Sequence, residues 1–192
     1  INNNVDFFGM IFYERSPRHI EIDLAKKLQL YSKSFNIIGV GVFVDEKLSS
    51  LINYIKEIDL KYVQLHGDED DKYIKEIKKL GVKVIKKISI RSYSDLKEIE
   101  NYKEANYLLF DYKPEKNELP GGNARSFNWE IVKNLNIFKP WFLSGGINSN
   151  NIDFIAKEIK PFGVDLSSGL EKKLGIKDNH IINNFMSKFK NA

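Results

Sequence analysis

Short apolar runs alternate along the chain with longer segments whose apolar residues recur at helical spacing. Seven runs are typical of buried strands and lie near residues 7–13, 36–44, 62–66, 82–90, 107–111, 140–147 and 163–171. The run at 36–44 is almost entirely apolar, as is usual for a strand of a parallel sheet that is covered on both faces. Between the runs, sets such as Leu48, Leu51, Ile55 and Ile58 trace one face of a helix.

Two further helices carry specific expectations. The helix at 22–30 is predicted to bury Ile22, Ala25 and Leu28, which recur at helical spacing. Ser92-x-x-Asp95 fits a capping box, in which the two side chains satisfy backbone N–H groups at the start of a helix.

The repeated strand–helix units predict an α/β fold with right-handed crossovers, either a doubly wound sheet or a (β/α)8 barrel. Polar and glycine residues follow nearly every predicted strand, whereas an open sheet concentrates them at one switch point. No Gly-x-Gly-x-x-Gly turn follows a strand, which disfavours a dinucleotide-binding fold. We therefore predict a (β/α)8 TIM barrel, with residues 1–192 as a single domain.

A barrel of this kind needs eight strands, one more than the pattern supplies. The opening residues Ile1-Asn-Asn-Asn-Val-Asp6 look like the tail of a helix. Because an open seven-stranded barrel would expose two unpaired edges, we expect a first strand and most of its helix to lie upstream of this sequence.

The amino-acid composition excludes or disfavours several classes of function. The chain has 192 residues, a net charge of +4 and no cysteine, which excludes disulfides and thiolate metal sites. The lysines are interleaved with glutamates along helical segments, so the pattern favours a solvated surface over a nucleic-acid-binding stripe. No apolar run approaches the roughly 20 residues of a membrane-spanning helix. We expect a cytoplasmic protein, monomeric or homodimeric, that binds neither nucleic acid nor membrane.

Loops of glycine and serine, called bare loops here because they carry small side chains or none, follow the last two predicted strands. The run that begins at Pro140 ends in Gly145-Gly146, and the run that begins at Gly163 ends in Ser167-Ser168-Gly169. In parallel barrels the loops after the last two strands commonly bind a phosphate group. Gly121-Gly122 is a third candidate, either as a hinge or as a source of backbone N–H contacts.

Several residues that could do chemistry stand at strand ends. Asp111 follows an apolar run, where burial raises the pKa of a carboxyl group and suits it to act as a general acid; the alternative is that it caps a backbone N–H. Asp165 is placed similarly. His66 ends its strand on the same face as Gln64, and Arg18 could bind a carboxylate or phosphate. No His/Glu cluster has metal-ligand spacing.

These motifs together resemble the phosphoribosylanthranilate isomerases of tryptophan biosynthesis, which are barrels of the ribulose-phosphate-binding type. The resemblance runs in order from about Phe7 to the C-terminus, and Gln-Leu-His-Gly at 64–67 and Val-Asp-Leu-Ser-Ser-Gly-Leu-Glu at 164–171 are its most specific parts. It implies an Amadori rearrangement of N-(5′-phosphoribosyl)anthranilate to 1-(2-carboxyphenylamino)-1-deoxyribulose 5-phosphate, without metal or cofactor.

The resemblance also implies roles for individual residues. Asp111 matches the general acid, Arg18 the residue at the anthranilate carboxylate, and Gln64, His66 and Asp165 match pocket positions. The phosphate positions are matched by Gly121, Gly122, Gly145, Gly146, Ser168 and Gly169.

The chain departs from the family pattern in two places. The family's base is a cysteine in a Lys-x-Cys-Gly segment on the first strand, and this sequence has no cysteine. We therefore expect the chain as written to lack most of its activity. Ala124 replaces a glycine of the sixth loop, which bears on the freedom of that loop. The alternatives are another phosphosugar barrel, such as a histidine-pathway isomerase or an epimerase, and a non-catalytic module that binds a phosphorylated ligand.

Overall fold

The parallel sheet predicted from the apolar runs is present. A computed structural model describes residues 5–116, 118, 121 and 125–191. Seven strands form one sheet in the order of the sequence: β1 (Phe7–Ile11), β2 (Ile38–Phe43), β3 (Tyr62–Leu65), β4 (Lys83–Ile90), β5 (Tyr107–Tyr112), β6 (Trp141–Leu143) and β7 (Gly163–Val164). Sequential parallel order is that of a (β/α)8 barrel. The presence of an eighth strand upstream of this sequence stays a prediction.

Two compact units are described separately. The first contains Val5–Lys87 and Ile99–Tyr107, and the second contains Ile88–Glu98 and the chain from Leu108 onward. In the first unit, parallel pairing aligns Phe7 with Ile38, Val40 with Tyr62 and Gln64 with Ile85. Its helices are α1 (Ile22–Lys33), α2 (Leu48–Ile58) and α3 (Asp71–Lys78). Leu51, Ile55 and Ile58 of α2 are buried, as the periodicity predicts.

In the second unit, Leu108 of β5 pairs with Trp141, and Phe142 of β6 pairs with Gly163. A helix follows β6: α4 (Ile152–Phe154) continues as a π-helical turn over Ile155–Ile159, and Ile152, Ile155 and Ile159 are buried. The last helix is α5 (Asn179–Asn191). An antiparallel hairpin of β8 (Glu171–Lys173) and β9 (Ile176–Lys177), which the periodicity did not indicate, lies between β7 and α5.

The buried face of α1 differs from the predicted one. Ala25, Gln29 and Ser32 are buried, whereas Leu28 is 37% exposed. The amide Nε2 of Gln29 donates to the carbonyl oxygen of Asp59 at 3.2 Å. The amide oxygen Oε1 of Gln29 is buried without a hydrogen-bond partner among the described residues. Gly39 makes room for this amide, since a β-carbon there would overlap the Gln29 side chain.

The segment after Ser92 is a 3₁₀-helix, Tyr93–Asn101. The carboxylate of Asp95 accepts hydrogen bonds from the backbone N–H of Ser92 at 2.8 Å and of Arg91 at 2.9 Å. This is the half of the capping box in which the acidic side chain reaches back to the helix start. Every helix in the described part of the chain is too short or too polar to cross a membrane.

Candidate active site

A cavity in the second unit opens where β5, β6 and β7 end. Seven of the predicted site residues line it, namely Asp111, Gly121, Gly145, Gly146, Asp165, Ser168 and Gly169. The carboxyl ends of parallel strands lie at the same edge of a sheet, so loops that are distant in sequence converge there. Gly122 lies outside the described residues, as does Ala124 of the same loop.

Asp111 brings a carboxyl group to this cavity from within β5. The residue is 5% exposed, and its Oδ1 accepts a hydrogen bond from the backbone N–H of Tyr112 at 2.8 Å. The alternative interpretation of Asp111 as a local cap therefore has a basis in the structure, together with its placement in the cavity. The hydrogen bond holds one carboxylate oxygen in place. A raised pKa for this group stays a prediction.

The turn at Gly145-Gly146 needs glycine at both positions. Their φ angles are +87° and +69°, a region that residues with a β-carbon rarely adopt. A β-carbon on Gly145 would lie 2.9 Å from the carbonyl oxygen of Arg125, and one on Gly146 would lie 3.1 Å from the backbone nitrogen of Ser126. The amides of Asn148 and Asn151 donate to the Gly146 carbonyl oxygen at 3.1 and 2.9 Å. This turn is consequently a bare surface against which the chain at 125–126 packs.

The second bare loop, at Ser167-Ser168-Gly169, leads into a 3₁₀ turn over Ser168–Leu170. Gly169 passes so close to the carbonyl oxygen of Ile147 that no β-carbon fits between them. The ammonium group of Lys177, on β9, donates to the Ser167 carbonyl oxygen at 2.6 Å and to the Glu171 carboxylate at 3.1 Å. The hairpin thereby holds the loop after β7 at Ser167.

Arg125 is a cavity residue that was not singled out from the sequence. Its Nη1 lies 3.1 Å from a carboxylate oxygen of Glu118 and 3.3 Å from the hydroxyl of Tyr112. The hydrogen bond with Tyr112 and the charge of Glu118 raise the pKa of Arg125 above its usual value, so the guanidinium is charged at all working pH. Arg125 directly follows Ala124 in the sixth loop, three residues after Gly122, and this position in a predicted phosphate loop could have identified it from the sequence.

Three predicted residues belong to the first unit. Gln64 lies in β3 and His66 directly follows that strand. Their side chains are neighbours, as alternation predicts, with Gln64 Nε2 and His66 Nε2 2.5 Å apart. Gln64 is 8% exposed. Arg18 lies beyond β1, and its backbone N–H donates to the hydroxyl of Ser16 at 3.1 Å.

Among the described residues, no group of three or more His, Asp and Glu side chains is arranged to hold a metal ion.

Comparison with known proteins gives one consistent result. The family model of N-(5′-phosphoribosyl)anthranilate (PRA) isomerase matches residues 1–188. The isomerase of Rhizobium etli is 38% identical over 187 residues, with 96% of this chain and 84% of the relative covered. The isomerase of Rubrobacter xylanophilus is 34% identical over 182 residues, with 95% and 87% covered.

Solved structures of phosphoribosylanthranilate isomerases are also similar to this chain. The phosphoribosylanthranilate isomerase of Thermotoga maritima superimposes with a TM-score of 0.87 at 30% identity, over 99% of this chain and 90% of that one. An isomerase structure in complex with reduced 1-(o-carboxyphenylamino)-1-deoxyribulose 5-phosphate, abbreviated rCdRP, has a TM-score of 0.84 at 28% identity, over 99% and 90% of the two chains.

Proposed function

The chain belongs to the N-(5′-phosphoribosyl)anthranilate isomerase family, and from this premise we propose that it carries out the Amadori step of tryptophan biosynthesis with Asp111 as its acid. The substrate is N-(5′-phosphoribosyl)anthranilate, and the product is 1-(2-carboxyphenylamino)-1-deoxyribulose 5-phosphate. One observation supports the assignment of residues above all others: the buried carboxyl of Asp111 and the bare turns at Gly145-Gly146 and Ser168-Gly169 line the same cavity.

The phosphate group of the substrate binds to the bare turns. Backbone N–H groups at Gly145, Gly146, Ser168 and Gly169 can approach phosphate oxygens because no side chain intervenes at the glycines. Gly121 and Gly122 contribute from the preceding loop. Arg125 adds a charged fork donor, which suits a phosphate better than a single ammonium group does.

Asp111 acts on the sugar. As a general acid it protonates the furanose ring oxygen, and the ring opens to a protonated Schiff base. Removal of the C2 proton then gives an enolamine, which becomes the ketose when C1 gains a proton and the C2 hydroxyl loses one. Asp111 lies next to Gly145 of the phosphate turn. The acid and the phosphate site are therefore close together, as the short distance between the ring oxygen and the phosphate of the sugar requires. The family's base is a cysteine, which this sequence does not contain. We therefore expect slow turnover by the 192-residue chain, with ligand binding retained.

The remaining predicted residues contact the other parts of the substrate. Arg18 pairs with the anthranilate carboxylate, for which a guanidinium fork is well suited. Gln64, His66 and Asp165 are assigned to substrate binding as well, as the resemblance to the family implies. The parallel sheet is proposed to belong to a (β/α)8 barrel. The chain works in the cytoplasm as a monomer or homodimer; a related Thermotoga maritima isomerase is described as dimeric.

Binding and turnover are tested separately. Calorimetry with rCdRP measures binding, and the decay of phosphoribosylanthranilate fluorescence at high protein concentration measures turnover. Asp111→Asn keeps the oxygen that accepts from Tyr112, so we expect unchanged rCdRP affinity and turnover lower by about 10²- to 10⁴-fold. Asp153→Asn, on the exposed side of α4, is the matched control.

Three results would count against the proposal. Failure of the wild-type chain to bind rCdRP contradicts the function itself. Wild-type turnover by Asp111→Asn removes this residue from the acid role. Binding by the wild type without measurable turnover favours the non-catalytic module, which the missing cysteine makes the second candidate.

A further inference from the structure

A buried ion pair lies beneath the turn that follows His66. Lys86 of β4 and Glu69, just before α3, are joined by a contact of 2.8 Å between Nζ and Oε2. Their side chains are 0% and 2% exposed. Lys86 and Leu65 are aligned in the β3–β4 register and so lie on one face of the sheet, whereas Gln64 and His66 lie on the other. The pair is therefore separate from the residues assigned to the substrate.

The Lys86 ammonium group has two hydrogen-bond acceptors and an aromatic neighbour. Besides Glu69, it donates to the carbonyl oxygen of Gly67 at 2.5 Å and lies 5.1 Å from the centre of the Tyr102 ring. The second oxygen of Glu69 accepts from the backbone N–H of Asp45 at 2.9 Å. One ion pair thus ties together β4, the turn after β3 and the turn after β2.

The turn is held at every residue from 66 to 69. The N–H of His66 donates to the carbonyl oxygen of Phe43 at 2.9 Å, and the N–H of Asp68 donates to the Asp45 carboxylate at 2.6 Å. A β-carbon on Gly67 would lie 2.6 Å from the Asp45 backbone nitrogen, so the two turns are in direct contact. Lys86 and Glu69 supply the side-chain anchors in the middle and at the end.

We propose that Lys86 and Glu69 are positioning residues that set the place of His66 in the substrate pocket; this rests on the function proposed above. Stability alone is a poor explanation for the pair. Removing two charges from water costs so much that an apolar pair of similar volume is often as stable or more so. An ion pair has directional bonds, however, which an apolar pair lacks. It can hold the Gly67 carbonyl and the Asp45 N–H at defined positions, and thereby the turn that carries His66.

The decisive comparison is between single and double variants. Lys86→Met or Glu69→Met alone leaves one buried charge without its main partner, so either single variant is expected to be strongly destabilised. Lys86→Met/Glu69→Met removes both charges at similar volume and is expected to recover most of the lost stability. The anchors of the turn are still missing in the double variant, so its rCdRP affinity is expected to be about 10- to 100-fold weaker. A structural role alone would restore affinity together with stability.

The matched control is Lys78→Met/Glu104→Met. This double variant deletes a partly exposed ion pair of the same unit, with a 2.9 Å contact, outside the turn at 66–69. We expect it to bind rCdRP as the wild type does.

A second readout is independent of substrate. The sequence has three histidines, so the His66 ring protons can be assigned by NMR with a His66→Gln variant. The double variant at Lys86 and Glu69 is expected to shift the His66 ring signals, and the Lys78/Glu104 control is not. A folded Lys86/Glu69 double variant with wild-type affinity and unchanged His66 signals would overturn the inference. If the wild type does not bind rCdRP, the proposed function fails, and the His66 signals still decide whether the pair positions the ring.

Discussion

The carboxyl oxygen Oδ1 of Asp111 lies 3.0 Å from the position that a β-carbon on Gly145 would occupy. The proposed acid and the first residue of the proposed phosphate turn are thus in contact across the ends of two neighbouring strands. Bulk at Gly145 would displace the acid, the turn or both.

Gly145→Ala is therefore expected to impair binding beyond its effect on stability. Gly81 is the matched control, because its φ of +78° is equally unfavourable for alanine but no atom lies within 4 Å of its β-position. A residue with a β-carbon in this region costs about 1–2 kcal/mol. We expect Gly81→Ala to lose about that much unfolding free energy in urea and Gly145→Ala to lose at least as much. Gly145→Ala alone is expected to weaken rCdRP binding, by about tenfold or more. Equal binding by the two variants would contradict this account of the turn.

Arg125 and Glu118 are expected to affect phosphate affinity in opposite directions. Arg125→Gln removes a charged donor, so the inhibition constant of inorganic phosphate should rise by about 3- to 30-fold. The effect is no larger because solvent screens the charge of this exposed guanidinium. Glu118→Gln removes the carboxylate that holds the guanidinium at 3.1 Å, so phosphate should bind as well or better. Inhibition constants at two ionic strengths provide the measurement. Weaker phosphate binding by Glu118→Gln would mean that the ion pair itself shapes the site.

Lys177 is expected to support the serine–glycine loop. Lys177→Met removes the donor to the Ser167 carbonyl and one partner of Glu171, whose side chain is only 4% exposed. Because hydrogen bonds to charged groups contribute about 1.5–3 kcal/mol, rCdRP affinity should fall by about tenfold. Lys173→Met, an exposed lysine of the same hairpin, is the control and should bind normally. Parallel calorimetric titrations that give equal affinities would exclude this role.

Asp95 is expected to make stability pH-dependent in the acid range. Burial acts to raise the pKa of its carboxyl, but hydrogen bonds from Lys113, Arg91 and Ser92 outweigh burial and lower the pKa from 3.8 to about 2. Since the folded-state pKa is the lower one, the carboxylate stabilises the fold above about pH 4, and this contribution is lost as the pH falls towards 2.

Asp95→Asn should accordingly cost about 1–2 kcal/mol at pH 7, as the loss of a capping carboxylate does. The difference from the wild type should shrink between pH 4 and pH 2. Urea unfolding at a series of pH values provides the measurement, and a difference that does not change with pH would show that the charge of Asp95 contributes nothing.

The order of strands and the position of the site residues along them could be predicted from local pattern. Apolar runs bounded by glycine and polar residues predict the seven strands of the parallel sheet, and the small residues after Leu143 and Val164 predict the two bare loops. Local pattern was less reliable for helices with mixed faces. Leu28 was expected to be buried, yet α1 buries Gln29, because Asp59 offers a carbonyl group and Gly39 leaves space for the amide.

Sequence alone determined the α/β class, the succession of strands and the identity of the candidate acid and phosphate turns, since each depends on residues that are close together along the chain. Tertiary structure decided which of these groups meet. The packing of 125–126 on the glycine turn, the support of Ser167 by Lys177, and the link from Lys86 through Glu69 to Asp45 join residues 10 to 41 positions apart. Such contacts depend on how strands and loops converge in space, and hydrophobic periodicity carries no information about that convergence.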